Sequence, residues 1–463
     1  MPRPPKNFHF LGICGTAMGS VAAALRDRGC TVTGSDEKVY PPMSDFLRQK
    51  GITLTEPYRA ENLPNDAEVV VIGNAIKRGN PEVEAVLNQK LHYLSLPEVL
   101  KEYFLRGRHN LVVTGTHGKT TTTALLTWML TVGELEPGFV IGGLPRNLGQ
   151  GALFNDAKHF VIEGDEYDSA FFDKRSKFIH YLPELLVLNN IEFDHADIFD
   201  DLEAVKLSFR RLVNIVPQNG MILLNGDDAN CVEVARECLA PMVQVGFSEN
   251  CGERIRGVTY SETGSRFSLG ETTFVSSLIG EFNVRNAAMA AVAARFYGIS
   301  PEVIQTALTS FDGIARRQEV RGEAGGVTVI DDFGHHPTAI RETLSALRRR
   351  YPGQRLWAIF EPRSNTTRRA IFQKELPAAL ALADGVFIAQ IAALEQIPEA
   401  ERLNPEAVVE AIAAAGRQAF YERDADAIVA RIGPLLQPND VVTVFSNGGF
   451  DGIHEKLLTQ LRG

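Results

Sequence analysis

The chain is predicted to be α/β, built as three domains that each hold a mostly parallel sheet with flanking helices. Three observations lead there. Short apolar runs alternate with helix-patterned stretches along most of the length, the pattern of β-α-β units and parallel sheets. Glycine-rich segments follow strand-like runs at 12–19, 115–121 and 446–452, one in each third of the chain. Only Arg254 to Ser276 alternates apolar and polar residues between tight turns, as a small antiparallel sheet does. At 463 residues the chain is too long for one core, and the restarts of the pattern divide it into 1–107, 108–315 and 316–463.

In the first segment, strands are expected at Phe8–Ile13, Thr31–Gly34, Val69–Ile72 and His92–Leu94, and helices at Ala17–Arg28, Met43–Lys50, Pro81–Gln89 and Leu96–Leu105. Phe104 to His109 reads as a linker. The second segment has strands at Asn110–Val113, Phe160–Ile162 and Leu185–Leu188, and helices from Ala124, over Leu202–Val216, Asn283–Phe296 and Pro301–Leu308. The third has strands Val327–Ile330, Leu356–Phe360, Gly385–Ile388 and Val441–Phe445. Its helices are Pro337–Arg350, Thr366–Leu382, Pro405–Ala415 and Asp451–Leu461.

The most informative segment is Gly115-Thr116-His117-Gly118-Lys119-Thr120-Thr121-Thr122, set between a strand and a helix. Glycines let backbone N–H groups close on phosphate oxygens, and the helix N-terminus adds positive dipole. Lys119 brings a cation, and the Thr120 hydroxyl suits Mg²⁺. Val113 stands where the longer consensus has its first glycine. The segment predicts ATP binding and makes the central domain a phosphate-loop ATPase-like unit.

Other loops at strand ends carry the rest of the chemistry. Glu163-Gly164-Asp165-Glu166-Tyr167-Asp168 offers hard oxygens for Mg²⁺, which takes only one or two carboxylates and keeps most of its waters. Asn190-Ile191-Glu192-Phe193-Asp194-His195 puts a histidine among acids. Asn283 with Asn286 either caps a helix or reads an adenine edge. Near the N-terminus Gly12, Gly15, Thr16, Ala17 and Gly19 join the first strand to the first helix. Ser35-Asp36 ends the second strand, where a dinucleotide fold places its ribose carboxylate. The spacing G-x-x-G-x-x-x-G is not the dinucleotide fingerprint, which argues against an NAD-dependent oxidoreductase, but it suits a diphosphate. In the last segment Asp331-Asp332 precede Gly334-His335-His336-Pro337. Two histidines beside two aspartates suit a zinc site too, although no third nitrogen or sulfur ligand stands nearby. Arg363 and Asn447 lie in further polar loops, and Arg363 is a fork fit for a carboxylate.

Together these motifs resemble the Mur ligases, the ATP-dependent amide-forming enzymes of bacterial cell-wall assembly. The resemblance spans nearly the whole chain. It implies a Rossmann-like N-terminal domain for a UDP-sugar, a central ATPase domain and a Rossmann-like C-terminal domain. By resemblance, Gly115, Thr116, Gly118, Lys119, Thr120 and Thr121 hold the ATP phosphates. Thr120 and Glu163 hold a first Mg²⁺, and His195 serves a second. Asn283 and Asn286 meet the adenine, and Arg317 and Asp332 reach the nucleotide from across a cleft. Gly15, Thr16, Ala17, Ser35, Asp36 and Asn74 hold the UDP moiety, and His335, His336, Arg363 and Asn447 grip a peptide. Segments 165–178, 361–366 and 446–454 are similar to the branch that joins UDP-N-acetylmuramate to the tripeptide L-alanyl-γ-D-glutamyl-meso-diaminopimelate in peptidoglycan recycling. The alternative is the branch that adds L-alanine. Phe282 stands where the alanine branch tends to have histidine, and Lys206 does not match the setting of the carbamylated lysine of sister ligases.

Bulk properties agree. A net charge of −10 argues against the basic face of a nucleic-acid binder. No apolar run reaches the ~20 residues of a membrane span. Five cysteines without a C-x-x-C pair, and no leader-like stretch behind Met1–Lys6, point to reduced thiols and the cytoplasm.

Overall fold

The computed structural model describes residues 5–41, 43–392, 394 and 397–463. Residues 1–4, which belong to the stretch read above for a leader, lie outside it. Three sheets organise the molecule, each with helices packed on it. The first has five parallel strands in the order Thr53–Thr55, Thr31–Ser35, Asn7–Leu11, Val69–Ile72, Tyr93–Ser95. Strand order reverses beside Asn7–Leu11, so the crevice opens past Leu11 and Ile72, where doubly wound sheets bind ligands. Gly12 to Thr16 and Gly73-Asn74 follow those strand ends.

The central sheet has ten strands. Its parallel part includes Met221–Asn225, Leu185–Leu188, His109–Thr114 and His159–Gly164 as neighbours. The strands Glu253–Ser261, Gly264–Leu269 and Thr272–Ser276 form the expected antiparallel part. The third sheet has six strands, five of them parallel, with Glu319–Ala324 antiparallel at the edge. Val69–Ile72, Leu185–Leu188, Leu356–Phe360 and Val441–Phe445 are buried at every residue. Helices cover both faces of such sheets, so their strands read as unbroken apolar runs rather than alternations.

Some elements differ from expectation. The helix expected over Thr366–Leu382 is a 3₁₀ turn at Ala370–Phe372 followed by a short helix, Glu375–Leu380. An unbroken helix would place Pro377 in its interior, without an N–H and against the carbonyl four residues back. The observed helix puts Pro377 in its first turn. Leu202–Val213 stops three residues early, and Leu96–Leu100 passes into a π turn, Lys101–Leu105. His109, expected in a linker, opens a strand. The cap expected at Asn283 is supplied by Gly280 at φ +107°, so Asn283 lies inside the helix Glu281–Phe296. Strands with weaker patterns, such as Met221–Asn225, Met242–Gly246 and Gln418–Glu422, and the hairpin Asp168–Ala170/Asp173–Ser176, have no counterpart in the sequence reading. Among the described residues no helix is long and apolar enough to cross a membrane, and all five cysteines are free thiols.

One buried carboxylate holds the N-terminal domain together. Glu82, fully buried, accepts from the Ser35 hydroxyl, the Asn62 amide at 2.7 Å and the Arg59 N–H at 3.1 Å, and faces His9 Nε2 at 3.3 Å. Burial opposes its charge, but the hydrogen bonds from His9, Ser35 and Asn62 win and hold its pKa below the usual range. Glu82→Ala should cost about 3–5 kcal/mol, since several buried donors lose their partner together. The sign with pH follows from the lowered pKa: this contribution is present above the unfolded carboxylate pKa and is lost as pH falls through the folded value. Urea unfolding at a series of pH values checks both, and Glu82→Gln should flatten the acid-dependent part. An unchanged midpoint in Glu82→Ala contradicts the assignment.

Candidate active site

A cavity of about 1080 Å³ lies between the central and C-terminal domains. The phosphate loop forms its floor, and the backbone of that loop explains the glycines. Gly115 sits at φ +133°, and a Cβ there would come within 2.9 Å of the Asn190 backbone nitrogen. Gly118, at φ +78°, caps the helix Lys119–Val132, and a Cβ would meet Asn286 Oδ1 at 2.5 Å. Val113 is a buried strand residue, so the first glycine of the loop, Gly115, comes two positions later than in the longer consensus. Asn190 fixes the loop from the side: its backbone oxygen accepts from Thr116 N at 3.0 Å and its Oδ1 from His117 N at 2.7 Å. Asn189 donates to Thr122 Oγ1 at 3.0 Å.

Lys119 Nζ donates to the Gly115 oxygen at 2.7 Å and to both Glu166 oxygens at 2.9 and 2.8 Å. Glu166 Oε1 also lies 2.9 Å from His195 Nε2. Burial alone would lower the Lys119 pKa, but Glu166 and Asp165 more than reverse it. His195 behaves alike, raised by Glu166 against the burial that would lower it. Its backbone is left-handed at φ +59°, a conformation uncommon for residues other than glycine.

Thr120 Oγ1 donates to Glu163 Oε1 at 3.0 Å, and the other Glu163 oxygen accepts from Gly142 N at 2.6 Å. Burial pushes the Glu163 pKa up, and Lys119 and Gly142 offset it only in part. Of the neighbouring acids, Asp165 pairs with Lys177 at 2.6 Å and Asp168 with Lys174. Only Glu163 of that acidic run faces the Thr120 hydroxyl.

From the C-terminal side, Arg317 reaches Thr120 Oγ1 at 3.5 Å and stacks over Phe333. Asp332 accepts from Gln318 N at 2.9 Å and Gly334 N at 2.7 Å, and burial raises its pKa. His335 Nε2 lies 3.7 Å from Asp194, whereas His336 is buried and caps the helix Pro337–Arg350. Asn283 lines the cavity, and Asn286 is turned to Thr122 and Asn283 instead. Arg363 is 56% exposed beside Glu361 and Gly448, and Asn447 is half-buried in the same loop cluster.

The remaining predicted residues cluster in the N-terminal domain. Gly15, Thr16 and Ala17 are exposed at the start of the helix Thr16–Asp27, which carries no side-chain cap. Ser35 is spent on Glu82, and Asp36 accepts from Cys14 N at 2.8 Å, which holds the glycine loop. Asn74 donates to the Asp168 backbone oxygen at 2.8 Å and so ties this domain to the central hairpin. Three residues were not singled out by their residue type: Glu166 as partner of both Lys119 and His195, and His117 and Arg316. Arg316 clamps the Ser446 and Gly448 carbonyls at 2.7 Å each. Arg285, Asp227 and Asp228 also line the cavity.

Comparisons with known proteins agree across the chain. The model of the Mur ligase family catalytic domain matches residues 7–108, the Mur ligase middle domain 113–294, and the Mur ligase glutamate ligase domain 316–448. The chain is 46% identical over 460 residues to the UDP-N-acetylmuramate–L-alanyl-γ-D-glutamyl-meso-2,6-diaminoheptandioate ligase of Escherichia coli, covering 98% of both. It is 32% identical to the UDP-N-acetylmuramate–L-alanine ligase of Halorhodospira halophila, over 98% of this chain and 93% of that one. A solved murein peptide ligase of Psychrobacter arcticus superposes with a TM-score of 0.73 at 37% identity, covering 99% of each chain.

Proposed function

The chain belongs to the Mur ligase family, and from that premise we propose that it joins the lactyl carboxylate of UDP-N-acetylmuramate to the amino group of L-alanyl-γ-D-glutamyl-meso-diaminopimelate, at the cost of ATP. The activity is an ATP-dependent, ADP-forming ligation. The observation that carries the reading is the convergence of Lys119, Thr120 and Glu163 on a loop built to hold phosphate, in one cavity with the C-terminal domain. The higher identity to the tripeptide ligase than to the alanine ligase favours the peptide as acceptor. The reaction belongs in the cytoplasm.

The residues present fit Mg²⁺. Two cis oxygens on an octahedral Mg²⁺, each about 2.0–2.1 Å from the metal, stand roughly 2.9 Å apart, and Thr120 Oγ1 and Glu163 Oε1 are 3.0 Å apart. These two would hold a first ion, and His195 with Glu166 a second. Mg²⁺ there supplies neutralisation of phosphate charge. Lys119 leaves Glu166 for the β/γ phosphates and steadies the equatorial oxygens as the γ-phosphoryl group transfers. A carboxylate oxygen of the substrate attacks the γ-phosphorus, the bridging oxygen leaves with ADP, and an acyl phosphate forms. The peptide amine, having lost its proton, attacks the acyl carbon, and the tetrahedral intermediate expels phosphate. The N-terminal loop around Gly15 to Ala17 holds the diphosphate with open backbone N–H groups. His335, Arg363 and Asn447 face the peptide from the third domain, and His336 supports them from a buried position.

ADP release with UDP-N-acetylmuramate and a panel of acceptors tests this. The tripeptide should exceed L-alanine in kcat/KM by on the order of 100-fold or more, because a site that hydrogen-bonds a longer acceptor loses those bonds with a shorter one. Faster turnover with alanine overturns the acceptor assignment and leaves the ligase class intact.

A further inference from the structure

Histidines 335 and 336 read in sequence as half of a possible zinc site lacking a further ligand. The aspartates beside them do not complete it: Asp332 is bonded to backbone N–H groups, and Asp331 faces His454 and Arg316. The missing ligands come from the central domain. His117 Nε2 lies 3.3 Å from Glu192 Oε2, His336 Nδ1 lies 3.5 Å from the same oxygen, and the three ligand atoms all lie within 4.8 Å of one another.

The hydrogen bonding around this group leaves a gap that a cation fits. His336 Nε2 faces the Phe193 carbonyl at 3.3 Å, which requires N–H at that position. Nδ1 is therefore the lone-pair nitrogen, and it receives Thr338 N–H at 3.2 Å. That lone pair also faces a carboxylate oxygen, so two acceptors stand opposite each other with no proton of their own to share. Burial, and the His117 imidazole beside it, keep His336 neutral, with its pKa pushed down to about 3. Burial opposes the charge of Glu192, but the hydrogen bonds from His117 and the Thr338 hydroxyl hold its carboxyl below the usual range. A neutral His336 and an ionised Glu192 are in the states that metal ligands need, and His117 Nε2 gives up the proton it shares with Glu192 when a cation binds.

We propose that His117, Glu192 and His336 bind one first-row transition cation of the Zn²⁺ class, at a site that shares no ligand with the Mg²⁺ positions. Tetrahedral ligands about 2.0–2.1 Å from such an ion are separated by roughly 3.3–3.4 Å, close to the 3.3 and 3.5 Å seen here. Two imidazoles and one carboxylate suit zinc, cobalt or nickel better than Mg²⁺, which prefers mostly oxygen ligands and water. The cation replaces the Thr338 N–H as partner of the His336 lone pair, and the carboxylate keeps the Thr338 hydroxyl at 2.8 Å. His117 belongs to the phosphate loop and His336 to the third domain, so occupancy of the site and closure of the two domains are linked. The inference stands on these three side chains and does not depend on the ligase reading.

The test uses the full chain, stripped with a chelator and titrated with Co²⁺ in excess Mg²⁺. One equivalent should bind with the strong visible bands of tetrahedral Co²⁺. His117→Ala and Glu192→Gln should each weaken that binding by about 10- to 100-fold and abolish the bands. Glu163→Gln and His195→Ala should keep them. His336→Ala also removes a helix cap, so thermal unfolding of every variant accompanies the titration, and His117→Ala decides if His336→Ala fails to fold. Absence of tight Co²⁺ binding in the wild type, bands typical of oxygen-coordinated octahedral Co²⁺, or bands that survive His117→Ala and vanish in Glu163→Gln would each overturn the proposal.

Discussion

Replacing Lys119 with alanine is expected to lower kcat by about a thousandfold or more, with the acyl phosphate no longer formed. A preorganised donor aimed at developing charge contributes on this scale, and Lys119 lies in the loop proposed to hold the transferred phosphoryl group. The variant also touches stability, because Lys119 is paired with Glu166, whose side chain is only 3% exposed. Removing one partner of such a pair costs about 3–5 kcal/mol, softened here because His195 stays bonded to Glu166. The two effects separate cleanly. Circular dichroism and thermal unfolding report folding, and trapping of the acyl phosphate as its hydroxamate reports chemistry. Lys119→Arg keeps the charge but not the compact ammonium, and should recover stability well ahead of kcat. Turnover of folded Lys119→Ala near the wild-type rate would remove Lys119 from the mechanism.

What could be read in the sequence depended on range. The parallel strands were legible because burial on both faces makes them unbroken apolar runs, as at Leu185–Leu188 and Val441–Phe445. The strand Met221–Asn225, which ends in a polar residue and follows a loop of turn residues, lies beside Leu185–Leu188 in the same sheet but has a weaker pattern. The broken helix around Pro377 was readable in principle, since a proline far from the helix start carries its own warning. The helix start at Glu281 was not, because Gly280 takes a backbone conformation that its neighbours do not announce. Within the site, the phosphate loop stood out because its chemistry is local: glycines, lysine and threonine in consecutive positions. Glu166 did not stand out among four acids. Its pairing with Lys119 and His195 depends on how strands at 109–114, 159–164 and 185–188 are ordered in the sheet, and no spacing records that order. His117 was hidden for a similar reason, since both of its partners, Glu192 and His336, arrive from other loops.

The largest effect with opposite signs is expected from Glu163→Gln. Burial raises the Glu163 pKa, so in the absence of metal its charge works against the folded state. For a carboxyl with a raised folded pKa, the stabilising contribution is complete below the unfolded value and is lost as pH rises through the folded one. Above that point the ligand-free wild type carries an ionised carboxylate that the fold disfavours, and the amide removes it, its one oxygen accepting from Gly142 N while its NH₂ donates to the Thr120 hydroxyl oxygen. Metal-free Glu163→Gln should therefore unfold at a higher temperature than metal-free wild type at neutral pH, and the difference should vanish in acid. Activity should move the other way. A neutral oxygen holds Mg²⁺ poorly, so the Mg²⁺ concentration for half-maximal turnover should rise by about 10- to 100-fold. Protonation of Glu163 would compete with Mg²⁺ in the wild type, so the rise of the Mg²⁺ requirement in acid should disappear in the variant. These measurements share one expected cause, and each can fail on its own. A variant that loses Mg²⁺ affinity without gaining metal-free stability would show that Glu163 is a ligand whose burial costs nothing. One that gains stability and keeps its Mg²⁺ dependence would move the first metal away from Thr120 and Glu163.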